Sequence, residues 1–499
     1  MHDILLTGAT GFLGHYLLAE LLREPSVRCR LMLRPPMHGG AQRLATLVGD
    51  LGLDLDSLRA AGRVELLEGE LPDHRPDASR LSGVTCVVHA AANTSFDADR
   101  TGEPARTNLD GTRAMLHLAG EAGIRRFVLV STAFVCGDRR GRIAERVSPR
   151  APTFANVYEQ SKWEAEQLVW AWRGAERIAT ICRPTILFGD STRGRATVMN
   201  GLYLIARATE ILSRAVTDDA EADRHQVPLR IIGDPRATIN AIPVDYAARR
   251  IAGIALDGAA ESSVHHIANP QPPTHEEIKK WLEQYFDLAG GRFCRSDWPL
   301  EDPNRFEELF YSRSNAVQDY FRCDLSFESR DGEETDRVRL IDRERFFRAL
   351  RYAQATNWGR ECRARTRARR APQRVRPDWY FNEFLPRTLP RSQVARVDAL
   401  TTTARFVICG CDDGEWVCRF ENGELAQLSA GPNGLQEAFG YRVSVDEFAD
   451  VVTGRRPVQD AFFEGGAEMF GDIDQALKMV SIIEKFVAEF PVREAAGRR

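Results

Sequence analysis

The chain of 499 residues has no excess of either charge: 67 lysines and arginines face 71 aspartates and glutamates, a net charge of −4. That near-balance gives no electrostatic reason to expect a nucleic-acid partner. Its ten cysteines form no CxxC pair and show no regular spacing, and no metal site is expected. Several, such as Cys86 and Cys182, sit inside apolar runs and read as reduced thiols of a cytoplasmic protein. No apolar stretch approaches the ~20 residues that a membrane-spanning helix needs. A signal peptide has no room, because the strand Asp3-Ile4-Leu5-Leu6 begins almost at once. Internal repeats are absent as well. What remains is a globular composition, 43% hydrophobic and 28% charged, long enough to bury at least two separate cores.

Short apolar runs alternate with helical stretches from residue 1 to about 190, the pattern of a parallel sheet with crossover helices. Ile4–Thr7, Arg28–Leu33, Val64–Leu67, Val84–Ala90, Phe127–Ser131 and Ile178–Arg183 read as strands, and Gly14–Arg23 as the first helix. Their apolar residues are consecutive rather than alternating, as in strands covered on both faces. Between about 191 and 345 the pattern loosens around Pro228, Pro235, Pro243 and Pro270, where such an architecture builds a substrate lobe. Residues 346–398 read as a linker. It contains a basic run, Arg360–Arg376, followed by Trp379, Tyr380, Phe381 and Phe384, which are expected to pack between domains. Contact of the basic run with an anionic membrane surface is the alternative. From 399 to 499 the expectation is a compact α+β module. Its strands are Arg405–Cys409, Trp416–Phe420 and Glu424–Ser429, with an Asn422-Gly423 hairpin turn. It closes on an amphipathic helix with the face Ile473, Leu477, Val480, Ile483, Phe486, Val487 and Phe490.

Thr7-Gly8-Ala9-Thr10-Gly11-Phe12-Leu13-Gly14 joins the first strand to the first helix. Gly8 permits a sharp turn, Gly11 lets backbone approach a pyrophosphate, and Gly14 lets the helix pack close to the sheet, its N-terminus facing the phosphates. Three glycines in this strand–helix setting predict a dinucleotide site in a Rossmann-type doubly wound sheet. The second strand ends at Leu33-Arg34-Pro35, where an NAD site would carry a carboxylate. Arg34 instead offers a guanidinium to a 2′-phosphate, and Arg43 offers a second from the following helix. The cofactor read here is NADP(H), the alternative being that both arginines are merely solvated.

Tyr158 and Lys162 are four residues apart and share one helical face. An unperturbed phenol is a poor acid at neutral pH, and a neighbouring ammonium improves it. Val128-Leu129-Val130-Ser131-Thr132 delivers two hydroxyls to the C-terminal end of a strand, one of which can hold a carbonyl and share its developing charge. With His89-Ala90-Ala91-Ala92, Asn108-Leu109-Asp110-Gly111-Thr112 and Arg183-Pro184-Thr185, these segments resemble the extended short-chain dehydrogenase/reductase family from residue 1 to about 270. That resemblance implies Thr132, Tyr158 and Lys162 as catalytic residues. It places Gly8, Thr10, Gly11, Phe12, Leu13, Gly14, Arg34, Arg43, Glu70, Leu71, Ala90, Ala91, Asn108, Tyr158, Lys162, Pro184 and Thr185 against the cofactor. Glu70 stands where the family more often has Asp.

Two segments are similar to the thioester-reductase and fatty-acyl-reductase branch: His89–Asp97, with Phe96 near the nicotinamide or else a core aromatic, and Ser161-Lys162-Trp163-Glu164-Ala165-Glu166. Residues 400–492 resemble a sterol-carrier-protein-2-like domain through Trp416–Gly423, Val443–Gly454 and Ala461–Gly466, which implies an apolar tunnel for lipid; a dimerising appendage is the alternative. The resulting architecture is α/β, with an extended reductase domain over 1–345 (1–190 mainly dinucleotide-binding, 191–345 mainly substrate lobe) and an α+β lipid-carrier-like domain at the C-terminus. Its expected activity is NADPH-dependent reduction of an acyl thioester, or of a lipid-like carbonyl, to aldehyde or alcohol. Because the first strand starts at residue 3, the thioester is expected in trans, on coenzyme A or a carrier protein. The alternatives are a ketone reductase or hydroxysteroid-type dehydrogenase, and a lipid-transfer protein on a reductase scaffold.

Overall fold

The computed structural model describes residues 2–219, 222–257, 261–296, 299–314, 325–329, 339–359, 375–392, 401–410, 414–431, 437–454, 456, 458, 461 and 467–492. The chain forms two compact units, Met1–Gly359 and Arg360–Arg499.

Seven strands build the sheet of the first unit: β1 (His2–Thr7), β2 (Val27–Leu33), β3 (Val64–Glu68), β4 (Cys86–His89), β5 (Arg126–Val130), β7 (Ile178–Pro184) and β11 (Ser263–Ile267). Their spatial order is β3-β2-β1-β4-β5-β7-β11, and every pairing is parallel. The chain first winds outward from β1 to β3, then returns to β4 on the other side. The crevice between the C-terminal ends of β1 and β4 is therefore the topological switch point where such sheets bind ligands. Ile4, Leu5, Leu6, Val87, Val88, Leu129 and Ile181 are all buried, and helices cover both faces of the sheet. On one face the helices Phe12–Leu22 and Val244–Leu256 pack through Leu17, Leu18, Leu21, Ala248 and Ile251. On the other, the helices Gly111–Glu121 and Val157–Trp172 bury Met115, Leu118, Ala165 and Val169.

Three parallel two-stranded pairs complete the strand set among the described residues of this unit. They join β8 (Ile186–Phe188) to β10 (Ala241–Pro243), β9 (Arg230–Ile232) to β12 (Arg292–Cys294), and β6 (Gly141–Ile143) to β13 (Leu325–Phe327). Residues 188–358 contribute a core of their own, in which Tyr203 stacks on Phe188 at 4.5 Å and Phe188 on Phe346 at 5.5 Å.

The second unit is a mixed sheet in the order β16-β15-β14-β17-β18, from β14 (Thr402–Cys409), β15 (Glu415–Glu421), β16 (Glu424–Ala430), β17 (Phe439–Ser444) and β18 (Ala467–Gly471). The β14–β17 pair is parallel and the others antiparallel. The turn between β15 and β16 has positive φ at Asn422 and Gly423, as an Asn-Gly hairpin turn requires. Helices Val445–Val452 and Ile473–Glu489 pack on the sheet.

The stretch 346–398, expected as a linker, differs at both ends. The helix Arg343–Ala355 buries Phe346, Ala349, Leu350 and Ala353 in the core around Phe188 and Tyr203. Tyr380, Phe381, Leu385 and Leu389 lie inside the core of the second unit, not between domains. Phe381 stacks on Trp416 at 4.7 Å, because rings of this size remove more apolar area from water inside a core than along a linker. Residues 360–374 of the basic run and 462–466 of the Ala461–Gly466 segment lie outside the described residues, as do the side chains of Ile473 and Leu477.

Candidate active site

The residues expected to hold a dinucleotide converge on one edge of the sheet, at or just beyond the C-terminal ends of β1, β2, β3, β4, β5 and β7. Gly8 has φ of +75°, and a Cβ there would stand 2.6 Å from the Ala90 carbonyl carbon and the Ala91 nitrogen. On Gly14 a Cβ would collide with the Gly8 carbonyl. The loop closes on itself through Gly11 N–H donating to Gly8 O at 2.8 Å. Thr10, Phe12 and Leu13 complete the turn, Leu13 buried and Phe12 half-buried. The helix Phe12–Leu22 starts with no side-chain cap and no acidic residue in its first turn. Its free N–H groups and partial positive charge fit the pyrophosphate of a dinucleotide.

Ala90 and Ala91 border the loop, where Ala91 N–H donates to Thr7 Oγ1 at 3.1 Å and Thr7 Oγ1 pairs with His89 Nδ1 at 2.8 Å. His89 is buried, and its pKa is pushed down to about 3, first by burial and then by Lys162, so the imidazole is neutral. Arg34 is exposed just past β2 and has no ion-pair partner among the described residues. Arg43 lies in the next helix, close enough to act on His15. Two residues past β3, Glu70 is exposed and exchanges backbone hydrogen bonds with His74 at 2.6 and 2.7 Å, while Leu71 is buried against Gly111. Pro184 and Thr185 are buried at the end of β7, with Thr185 N–H donating to Ile267 O at 3.1 Å.

Thr132 and Tyr158 meet through their hydroxyls, although 26 residues separate them. Thr132 caps the short turn Ala133–Cys136 beyond β5, its Oγ1 accepting from Phe134 N–H at 3.3 Å. The helix Val157–Trp172 begins at Asn156, whose side chain accepts from Glu159 N–H at 3.0 Å, and so presents Tyr158 in its first turn. Burial, then Glu159, raises the phenol pKa, and the Thr132 hydrogen bond opposes both, so Tyr158 is held as a proton donor. Phe96 is half-buried with its ring 6.4 Å from that of Tyr158.

Lys162 is 1% exposed and donates to Val130 O at 2.7 Å. Burial pushes its pKa down to about 8 against the pull of Glu166. The expected tuning of Tyr158 by the ammonium is not among the influences that shift the phenol, which are burial, Glu159 and Thr132. One of the three N–H donors of Lys162 is bound to the main chain of β5.

Asn108 fixes the assembly from below. Its side chain accepts from Asn93 N–H and donates to Asn93 O, both at 2.8 Å, and donates to Ser161 Oγ at 2.9 Å. The sequence reading missed a further support, the bidentate pair of Arg183 with Glu166 at 2.9 and 2.6 Å, both side chains buried. Its signal was Glu166 standing one helical turn past Lys162.

Residues 6–251 match the family model described as male sterility protein. Over these residues the first unit is similar to the extended short-chain dehydrogenase/reductases. Its motifs and fold resemble those of NAD(P)-dependent oxidoreductases. Glycine betaine reductase of Emericella nidulans is 30% identical over 285 residues, covering 54% of this chain and 21% of that protein. A 3β-hydroxysteroid dehydrogenase/Δ5→4-isomerase of Mycobacterium tuberculosis is 24% identical over 353 residues, covering 65% of this chain and 85% of that one. Among the first curated relatives the chain spans only part of their length, 21% of the betaine reductase and 54% of an undecaprenol-linked glucosaminyl 4-epimerase of Escherichia coli. In solved structures the same fold occurs in the terminal R domain of the myxalamid pathway, at a TM-score of 0.56 and 22% identity, over 72% of this chain and 92% of that one. It occurs also in an archaeal thiolation-reductase di-domain, at 0.52 and 22%, over 72% and 76%. No helix among the described residues is long and apolar enough to cross a membrane.

Proposed function

We propose that the protein is an NADPH-dependent reductase of an acyl thioester, delivered on a carrier protein or coenzyme A, and that its second unit holds the hydrocarbon of the substrate. The observation that carries this reading is the hydroxyl pair Thr132–Tyr158 beside a buried lysine, at the strand ends where the glycine cradle fits a dinucleotide. A bound nicotinamide would supply the hydride. Tyr158 gives its proton to the carbonyl oxygen, and Thr132 donates a hydrogen bond to that oxygen as charge develops there. Lys162, on the same helical face, holds the ribose side of the cofactor. Reduction of a thioester leaves a hemithioacetal, whose collapse releases an aldehyde; a second reduction gives an alcohol.

Arg34, exposed and without an ion-pair partner among the described residues, supports a 2′-phosphate and hence NADP. Similarity to reductase domains of carrier-dependent assembly lines supports a carrier-bound acyl group. In the second unit an apolar cavity of about 120 Å³, lined by Phe381, Leu385, Phe406, Tyr441, Met479 and Phe486 among others, supports a sterol-carrier-like lipid site. A dimerising role is the competing use of that unit. Buried thiols such as those of Cys29 and Cys86 fit a reducing, cytoplasmic compartment.

The hydroxysteroid dehydrogenase relative, matched over 85% of its length, favours a second reading as a ketone reductase. Oxidation of NADPH by the full chain, screened over acyl thioesters, ketones and aldehydes, separates the two. The thioester reading expects turnover with thioesters; turnover with ketones alone overturns it.

A further inference from the structure

We propose that the loop from Gly137 to Arg150 is the docking surface for an acidic carrier protein that presents the acyl thioester, an inference resting on the thioester reading. The loop connects the two catalytic hydroxyls: it begins five residues after Thr132 and ends eight before Tyr158. It is folded into a fixed shape. Gly137 has φ of +56°, with the Thr153 carbonyl where a Cβ would stand. Asp138 N–H donates to Thr153 O at 2.9 Å, and Thr153 N–H donates back to Asp138 Oδ1 at 3.1 Å. Arg139 spans the loop, its Nη2 donating to Ser148 Oγ at 2.5 Å and Arg150 O at 2.7 Å. Its base is tied to the buried pair near Lys162, because Arg183 Nη2 donates to Arg146 O at 3.2 Å.

The loop carries five arginines, Arg139, Arg140, Arg142, Arg146 and Arg150, against two carboxylates of its own, Asp138 and Glu145, of which only Asp138 is exposed. Arg140, Arg142, Arg146 and Arg150 are exposed. Among the described residues Arg140 donates only to the carbonyls of Asp138 and Arg139, at 3.0 and 3.2 Å. Arg142 meets Glu328 at 3.4 Å, with side chains 74% and 41% exposed. Arg146 and Arg150 have no carboxylate within ion-pair distance among the described residues. Glu145 contributes nothing to the surface, since it is buried with Oε1 accepting from His266 N–H at 2.7 Å. A chain with net charge −4 thus concentrates exposed guanidinium groups on the loop that joins Thr132 to Tyr158. They are spread over an exposed loop rather than gathered in a cleft. That suits several carboxylates on the face of a protein more than the compact phosphates of one nucleotide. Exposed rim charges of this kind steer association and set register.

The test uses the full chain with NADPH and an octanoyl group presented in three forms: on an acidic acyl carrier protein, on coenzyme A, and on N-acetylcysteamine. In the variant Arg140→Glu/Arg142→Glu/Arg150→Glu, kcat/KM on the carrier-bound substrate is expected to fall at least tenfold at low salt. The gap should shrink as salt is raised. The N-acetylcysteamine rate should stay within twofold. Binding of fluorescently labelled holo-carrier protein, read by anisotropy, should weaken in parallel and needs no turnover. If no thioester is reduced in any form, the functional reading fails, and the binding arm alone decides the docking surface. Equal losses on coenzyme A and carrier would assign the arginines to the nucleotide phosphates and overturn the proposal. So would unchanged carrier binding, the result expected if the acidic stretch Glu333-Glu334-Thr335-Asp336 of this chain is their occupant.

Discussion

The two units place their polar chemistry and their apolar burial in opposite ways. In the first, several charged and amide groups of the candidate site are taken inside and held by named partners: Lys162 by Val130 O, Glu166 by Arg183, Asn108 by Asn93 and Ser161. In the second, the interior is mainly aromatic and aliphatic, with few buried polar side chains such as Ser392 and Glu447. Phe381 lies on Trp416 at 4.7 Å and on Phe448 at 5.8 Å, and an apolar cavity of about 120 Å³ remains beside them. Buried polar groups demand directional partners, so the first unit has a fixed arrangement of functional atoms. Apolar contacts are non-directional, so the second can hold space for a flexible ligand.

Tyr158→Phe should have the largest effect. Turnover falls by roughly 10²–10⁴-fold, while NADPH binding, followed by quenching of protein fluorescence, stays near its original value. Near-normal turnover would remove Tyr158 from the role of acid.

Two substitutions test the contrast in stability. Glu166→Gln leaves Arg183 buried and uncompensated, and should lower the unfolding free energy of the first unit by about 3–5 kcal/mol. Phe381→Ala should cost the second unit about 3–5 kcal/mol through lost burial and an enlarged cavity, with activity on short substrates unchanged. Denaturant melts with probes in each unit would show whether the losses are separate. A shared transition would mean that the units unfold together.

Glu166→Gln also has a pH signature. The working form of Lys162 is the ammonium, which deprotonates as pH rises through about 8, so kcat/KM should decline through that range. Removing the carboxylate that holds this pKa up moves the decline to lower pH. An unmoved alkaline limb would show that Lys162 does not control it.

Smaller effects concern recognition. Arg34→Ala should cost NADPH about 1–3 kcal/mol of binding and leave NADH unaffected; equal affinities before substitution would deny the 2′-phosphate contact. If the second unit holds the acyl chain, each methylene contributes up to ~0.8 kcal/mol. Deleting residues from 360 onward should then flatten the rise of kcat/KM with chain length. A truncated enzyme with the full dependence would place chain selection in the substrate lobe.

The glycine loop, the Tyr158–Lys162 spacing and the Asn422-Gly423 turn were legible in the sequence, because each depends on a few neighbouring residues in one turn or helix. The parallel sheet was legible too, since strands covered on both faces must be continuously apolar. Neither the placing of Tyr380 and Phe381 in the core of the second unit nor the Arg183–Glu166 pair could be read that way. Phe381 and Trp416 are 35 residues apart, and the partners of Arg183 come from a helix, a loop and a neighbouring strand. Local spacing decides which groups share a face. Which distant group fills the space opposite is a matter of packing, and becomes definite only once sheet order and helix placement have brought the candidates together.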